Sequence, residues 1–463
     1  MFDLTVDGLD QLVRGRVVRS HDADYDEARS LYNGMIDKRP RAVAQCADVA
    51  DVAAAVRWAA THDVPLAVRG GGHNGAGLAG VDDGLVVDLT NLRGIHVDPT
   101  QRTARVGGGC TSGDVDHATH AFGLAVPFGI VSTTGVGGLT LGGGTGYLTR
   151  QHGLTIDNLL EADIVLADGR IVTASPEEHP DLFWAIRGGG GNFGVVVSFL
   201  FRAHPVDRVY AGPAFWDISD APAVMAAYRD FLPGAPEELA CFVGLKTVPT
   251  ADPFPVEHQG KHACALISCF NGSVDEGAAA LAPLRDELPE PLFDWTGEMA
   301  FPDVQALFDP LLRPGMQWYW RGDFLRDLPD AAIAAHVQHA LELRPGALSM
   351  MHLYPIDGAV HRVAPGDTAW HTRDAMWSMV IAGVHADPDQ AAEVTRWTRS
   401  YWDEVHPYSA EGGYVNFMMG DGTPDRLRAT YGANYDRLVS VKTEYDPTNL
   451  FRCTQNIEPG PTP

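Results

Sequence analysis

This chain of 463 residues has little of what would mark several protein classes. No stretch is apolar for the roughly 20 residues that a bilayer-spanning helix needs. The first residues, Met-Phe-Asp-Leu-Thr-Val-Asp, carry neither the basic region nor the apolar core of a secretory leader. Cysteine is sparse. The six residues at 46, 110, 241, 264, 269 and 453 form no Cys-x-x-Cys pair, so neither a disulfide scaffold nor a thiolate metal site is expected, and a reducing, cytoplasmic setting fits. Positive charge is short too. Against 60 Asp and Glu stand 34 Lys and Arg, a net charge of −26 with no basic run to offset it. Nucleic acid and anionic membrane are poor partners for such a surface. Lysine occurs only at 38, 246, 261 and 442.

Glycine, by contrast, is plentiful, and it clusters. The first cluster, Arg69-Gly-Gly-Gly72, follows the apolar stretch Pro65–Val68 and leads into His73 and Asn74. Such a run abandons regular structure and lets backbone N–H groups approach a ligand closely, as phosphate-holding loops do. The second runs from Gly135-Val-Gly-Gly138 through Gly142-Gly-Gly144-Thr-Gly146 to Tyr147. Neither helix nor strand is favoured there, and the chain is expected to wrap a flat or pyrophosphate-bearing ligand. Gly142-x-Gly144-x-x-Tyr147 does not complete GxGxxG and no strand leads into it, which argues against a doubly wound dinucleotide fold. The third is Arg187-Gly-Gly-Gly-Gly191 with Asn192, Phe193 and Gly194, after the helical Asp181–Ile186 and before the apolar Val195-Val-Val.

The spacing elsewhere predicts an α+β protein. A helix follows Asp48, strands cover 64–68 and 84–89, and a helix covers 112–122. Residues 162–173 read as a hairpin with a two-residue turn at Asp168-Gly169. Near residue 206 glycine becomes rarer, and amphipathic helices at 221–231, 276–288 and 331–343 alternate with strands. The expected division is a cofactor domain over 1–206, completed by 424–463, and a substrate domain over 207–423. His117-x-x-His120 and His336-x-x-His339 have helix spacing but no third-ligand pattern, so no metal site is expected and both pairs read as solvated helix faces.

Taken in order, these pieces resemble the berberine bridge enzyme-like FAD-linked oxidases of the vanillyl-alcohol oxidase / p-cresol methylhydroxylase group. The resemblance rests on Arg69-Gly-Gly-Gly-His73, the glycines from 135 to 146, Asp181-Leu-Phe-Trp-Ala-Ile-Arg-Gly-Gly-Gly190 with Asn192-Phe-Gly194, Tyr414-Val-Asn416-Phe417, and Tyr445-Asp-Pro447 through Asn456-Ile-x-Pro459. It implies a two-domain flavoprotein, with a PCMH-type FAD domain and a sheet-and-helix substrate domain roofing the flavin. It also implies FAD contacts from Arg69, Gly70, Gly71, Gly72, His73, Asn74, Val131, Ser132, Thr134, Gly135, Gly138, Leu139, Gly142, Gly146, Gly194, Val196 and Asn416. His73 takes the place of the histidine bonded to the flavin. The position of a second, cysteinyl link is Val131 here, so one covalent link is expected. Cys110 reads as structural. Thr134 stands where bulkier side chains block oxygen in relatives, which favours O2 as acceptor.

Phe417 stands where many members carry an active-site tyrosine, so a proton acceptor must come from elsewhere. The candidates are His352, Tyr354, Tyr319 and Tyr414, with His361 and Tyr147 behind them. His352 and Tyr354 share one strand face by period two, although core packing gives the same spacing. Trp318, Trp320 and Arg321 line the pocket or pack the domains together. The expected reaction moves hydride from an alcohol, sugar or amine C–H of a small molecule to flavin. A dehydrogenase with another acceptor and a flavin-free binding protein on the same fold stay open as alternatives.

Overall fold

The computed structural model describes residues 6, 8–344 and 347–461; Met1–Thr5 and Asp7, part of the stretch read for a leader, lie outside them. Three large sheets carry the chain. The first orders the strands Arg16–Arg19, Ala42–Gln45, Leu85–Asp88 and Leu66–Arg69, with the last three mutually parallel. Its helical cover, Val49–Thr61, begins where the Asp48 carboxylate accepts from Asp51 N–H and buries an Ala- and Val-rich face. The second sheet is antiparallel: Ile95–Asp98, Thr103–Gly107, Val195–Arg202, Leu159–Val165 and Ile171–Ala174. The hairpin at its edge turns through three residues rather than two. Leu166 N–H donates to Arg170 O, and Gly169 takes the positive φ of 77° that closes such a loop.

The third sheet has eight strands and begins at Arg208. Along its main path Phe293–Asp294, Arg208–Asp217, His262–Phe270, Leu239–Thr247, Met350–Pro355, Trp377–His385 and Gln317–Leu325 pair in that order. One face packs Leu, Val and Met side chains against helices that include Ala221–Phe231, Asp330–Leu341 and Ala391–Val405. The other face turns toward the glycine-rich loops. Past residue 423 the chain returns to the first half. Helix Tyr435–Tyr445 packs Leu438 into the same core as Trp184 and Phe193.

Two side chains tie this tail to the third glycine cluster. Asn192 donates to Gly189 O and Gln455 O and accepts from Ile457 N–H. Buried Lys442 donates to Asn192 O at 2.8 Å and to Asp446 at 2.6 Å, while Asp446 accepts from the N–H groups of Leu450 and Phe451. Each buried charge is therefore paired and hydrogen-bonded, the condition under which burial is tolerated.

The expectation for the second glycine cluster needs correction. A six-residue helix, Val136–Leu141, runs through it, with Gly135 at its N-cap. Packing overrides propensity at this point. Gly71 and Gly135 lie back to back, and a Cβ on either would collide with the backbone of the other. The pair His336/His339 is also corrected. Both side chains are buried, because their helix packs against Ala391–Val405. His336 Nδ1 hydrogen-bonds Tyr401 OH at 2.8 Å, and His339 stacks on the Tyr401 ring.

Candidate active site

Between the glycine loops and the third sheet lies a cavity of about 350 Å3. Its floor is backbone. Gly70 to Gly72 arrive from the strand Leu66–Arg69, Gly135 to Gly138 form the first turn of the short helix, and Gly190, Gly191 and Gly194 precede the strand Val195–Arg202. Its roof is side chains. Trp318 and Trp320, Met350, His352 and Tyr354, and Val380 and Ala382 point down from three adjacent strands. One end is walled by Tyr414, Asn416 and Phe417.

His73 sits where floor meets roof. Its ring stacks on Tyr32 at 3.9 Å and 19°, and its Nε2 lies 3.0 Å from Thr133 Oγ1. Tyr32 is anchored in turn by donating its O–H to Leu312 O of the opposite half, at 2.9 Å. Burial pushes the imidazole down to about 4, so the ring is neutral near pH 7.

His352 and Tyr354 meet as period two required, with Nδ1 and OH 2.7 Å apart. Burial, assisted by the Lys246 ammonium, lowers His352 to about 3, and burial raises Tyr354. Tyr414 differs from Tyr354. Its oxygen accepts from Gly144 N–H at 2.9 Å and from Asn416 Nδ2 at 2.8 Å, two donors that partly oppose the upward push of burial and leave it at about 12.

Several expected contacts lie off the cavity. The Arg69 guanidinium turns away to Asp88, at 2.6 Å, and to Ala28 O, at 2.5 Å; it braces the first sheet. Ser132 bonds across the halves to Asp309 through both its hydroxyl and its N–H. Gly142 leaves room for Asn416, and Gly146 for the backbone at Phe128 and Gly129. Tyr319 projects from the far face of its strand to Asp421, at 2.6 Å, and Arg399, at 2.9 Å, where Arg321 joins the same carboxylate. His361 bonds Ala375 O on a short 3-10 turn, and Tyr147 packs toward Phe242 without lining the cavity. Sequence reasoning missed Tyr32, Thr133, Thr145, Tyr431 and the tail residues Cys453 to Gln455. No local pattern marks them.

The walls have the character of a cofactor cradle. Thr145 Oγ1, Trp318 Nε1, Trp320 Nε1, His352 Nε2 and Tyr431 OH belong to cavity-lining residues and are buried without a protein partner among the described residues. Buried polar atoms are nearly always satisfied, so a ligand is the natural supplier. Above Gly138 a Cβ would meet nothing within 4 Å, so the first helical turn is open toward a ligand.

Comparison with known proteins says which ligand. Residues 40–175 match the family described as FAD binding domain, and 413–458 match the family described as berberine and berberine like. The uncharacterized FAD-linked oxidoreductase YgaK of Bacillus subtilis (strain 168) is 31% identical over 96% of this chain and 97% of its own.

The chain belongs to the berberine bridge enzyme-like FAD-linked oxidoreductases.

Another member, (R)-6-hydroxynicotine oxidase of Paenarthrobacter nicotinovorans, is 30% identical over 96% of this chain and 97% of its own. The crystal structure of 6-hydroxy-D-nicotine oxidase from Arthrobacter nicotinovorans superposes with a TM-score of 0.87 at 27% identity, covering 98% of this chain and 100% of that one. The protein is thus an α+β flavoprotein and an FAD-linked oxidoreductase, and the cavity's glycine floor and unpartnered donors fit FAD.

Proposed function

We propose that this enzyme is an oxidase, that FAD is bonded to it through His73 alone, and that it oxidises an alcohol, sugar or amine C–H of a small organic molecule. When bound, flavin would supply the redox chemistry: the two electrons and one proton of a single hydride would leave the substrate C–H, and O2, with those two electrons and two protons, would end as H2O2. The chain's own residues bind, orient and move protons.

The observation that carries the reading is the clamp on His73. A neutral imidazole held between Tyr32 and Thr133, at the junction of floor and roof, has its orientation fixed. In the tautomer whose Nε2–H donates to Thr133 Oγ1, Nδ1 keeps a free lone pair, which is what a nucleophile needs. Val131 lines the cavity as an aliphatic residue, so a second link through sulfur has no donor at that position.

The proton of a substrate hydroxyl needs an acceptor, and Phe417 cannot be one. Tyr414 comes nearest of the candidates, although burial holds it protonated at about 12, so it accepts only when a bound substrate and cofactor lower it further. Two N–H donors on its oxygen stabilise the phenolate form, whereas Tyr354 has only the His352 ring. The neutral His352–Tyr354 pair orients substrate from above, and the indoles of Trp318 and Trp320 close the cavity against water.

The test is a screen of H2O2 release by the purified yellow protein against a panel of alcohols, sugars and amines, together with reoxidation of the reduced enzyme by air. Fast reoxidation with peroxide is expected. Substrate turnover with slow reoxidation would make the enzyme a dehydrogenase with another acceptor.

A further inference from the structure

Lys246 is the only charged residue of the strand Leu239–Thr247 and is 5% exposed. No hydrogen bond or ion pair among the described residues involves its ammonium, and burial alone lowers it to about 8. Buried lysines are almost always paired, because desolvating an isolated ammonium is costly. In this chain the other buried lysine, Lys442, has Asp446 and two carbonyls. Lys246 has nothing of the kind.

Strand register shows where it points. Residues directly opposite in an antiparallel sheet share a face. Lys246 pairs with Met350, Met350 with Ala382, and Ala382 with Trp320. The last three line the cavity, so Lys246 continues their row on the cavity-facing side of the sheet, one strand beyond the lining residues. On its far side Ala263 lies directly opposite, and Asp217 follows one strand further along the row, with no ion pair to Lys246 among the described residues. In the adjacent row Gly244 opposes His352, and a Cβ at 244 would lie 3.2 Å from His352 Cδ2 and 3.4 Å from Nε2. The imidazole therefore leans over the strand that carries Lys246, with a buried and unpartnered Nε2. When Tyr354 donates to Nδ1, Nε2 carries the hydrogen and is a donor.

We propose that Lys246 and His352 Nε2 together form an anion subsite in the cavity roof, and that the enzyme's substrate carries a carboxylate which this subsite receives. The inference rests on the cavity being the oxidoreductase site. One ammonium and one N–H match the two oxygens of a carboxylate, and the single positive charge matches its single negative charge. A phosphate would bring a third oxygen to apolar neighbours such as Met350 and Ala263 and leave it without a donor. Lys246 is thus a specificity-determining residue, holding one end of the substrate while the oxidised C–H lies below.

The holoenzyme itself reports the test, because an occupied cavity perturbs flavin absorption. Benzoate, phenylacetate and hexanoate are titrated in parallel with their uncharged amides, against wild type, Lys246→Met and Lys246→Arg. Wild type is expected to bind at least one acid about tenfold more tightly than its amide, Lys246→Met to lose that preference with flavin content unchanged, and Lys246→Arg to retain most of it. Equal binding of acids and amides by wild type, or an acid preference that survives in Lys246→Met, overturns the subsite. So does an altered flavin spectrum in ligand-free Lys246→Met, which would set the ammonium against the cofactor. A wild-type protein without flavin would refute the oxidase reading instead, so the two failures are distinguishable.

Discussion

The floor and the roof of the cavity are built on opposite principles. The floor presents main chain, brought close by glycines whose missing side chains allow loops to touch, as at Gly71 and Gly135. The roof presents side chains, several with unpartnered polar atoms, from strands that pair out of sequence order. A backbone surface recognises what all members of a family share. A side-chain surface can change residue by residue without disturbing the sheet that carries it. One half therefore holds a constant cofactor, and the other is free to select a substrate.

Breaking the floor should have the largest effect. His73→Ala should abolish the proposed covalent link, so that acid precipitation leaves a white pellet and a yellow supernatant where the wild type keeps its colour in the pellet, while circular dichroism stays native. The roof end is next. Tyr414→Phe should keep flavin content and lower kcat by about a hundredfold for an alcohol substrate, the usual scale for loss of a general base. An unchanged kcat would move the proton acceptor to another residue.

The seam between the halves is sharpened by pH. Asp116, on the helix Ser112–His120, is 1% exposed and accepts from Gln305 Nε2 at 3.2 Å, while Asp116 Oδ1 and Gln305 Oε1 have no partner. Burial raises its carboxyl to about 8. The folded protein thus holds a proton that the unfolded chain, with a carboxylate value of about 4, releases, so this group makes stability fall as pH rises from about 4 to about 8. Asp116→Asn should flatten that fall and leave the variant more stable at pH 9 by on the order of a few kcal/mol, read by chemical denaturation at pH 5 and pH 9. The smallest effect belongs to the far face of the roof. Tyr319→Phe removes a hydroxyl from the half-exposed Arg399–Asp421 cluster and should cost at most about 1 kcal/mol, with kcat unchanged.

The three glycine clusters, His73, the hairpin and the helices beyond residue 206 could be read from the chain because each is a local signal, carried by spacing within a few residues. Arg69 was misread because its partner, Asp88, lies on a neighbouring strand 19 residues away. His336 and His339 were misread because helix spacing cannot say what another helix will cover. Tyr319 went to the wrong face because alternation fixes which residues share a face without saying which face looks inward. Lys246 did leave a trace, as a lone charge in an apolar strand, but its meaning needed the register of four strands.

By itself, the sequence determined the cofactor half: glycine is the one residue that lets backbone crowd a ligand, and that requirement is written locally, whatever the rest of the chain does. Tertiary structure alone decided the substrate half. Which side chains share the roof depends on strands that pair out of sequence order, with Trp320 and Met350 both opposite Ala382 and Lys246 opposite Met350, and the pairing is set by how the whole sheet buries its opposite face.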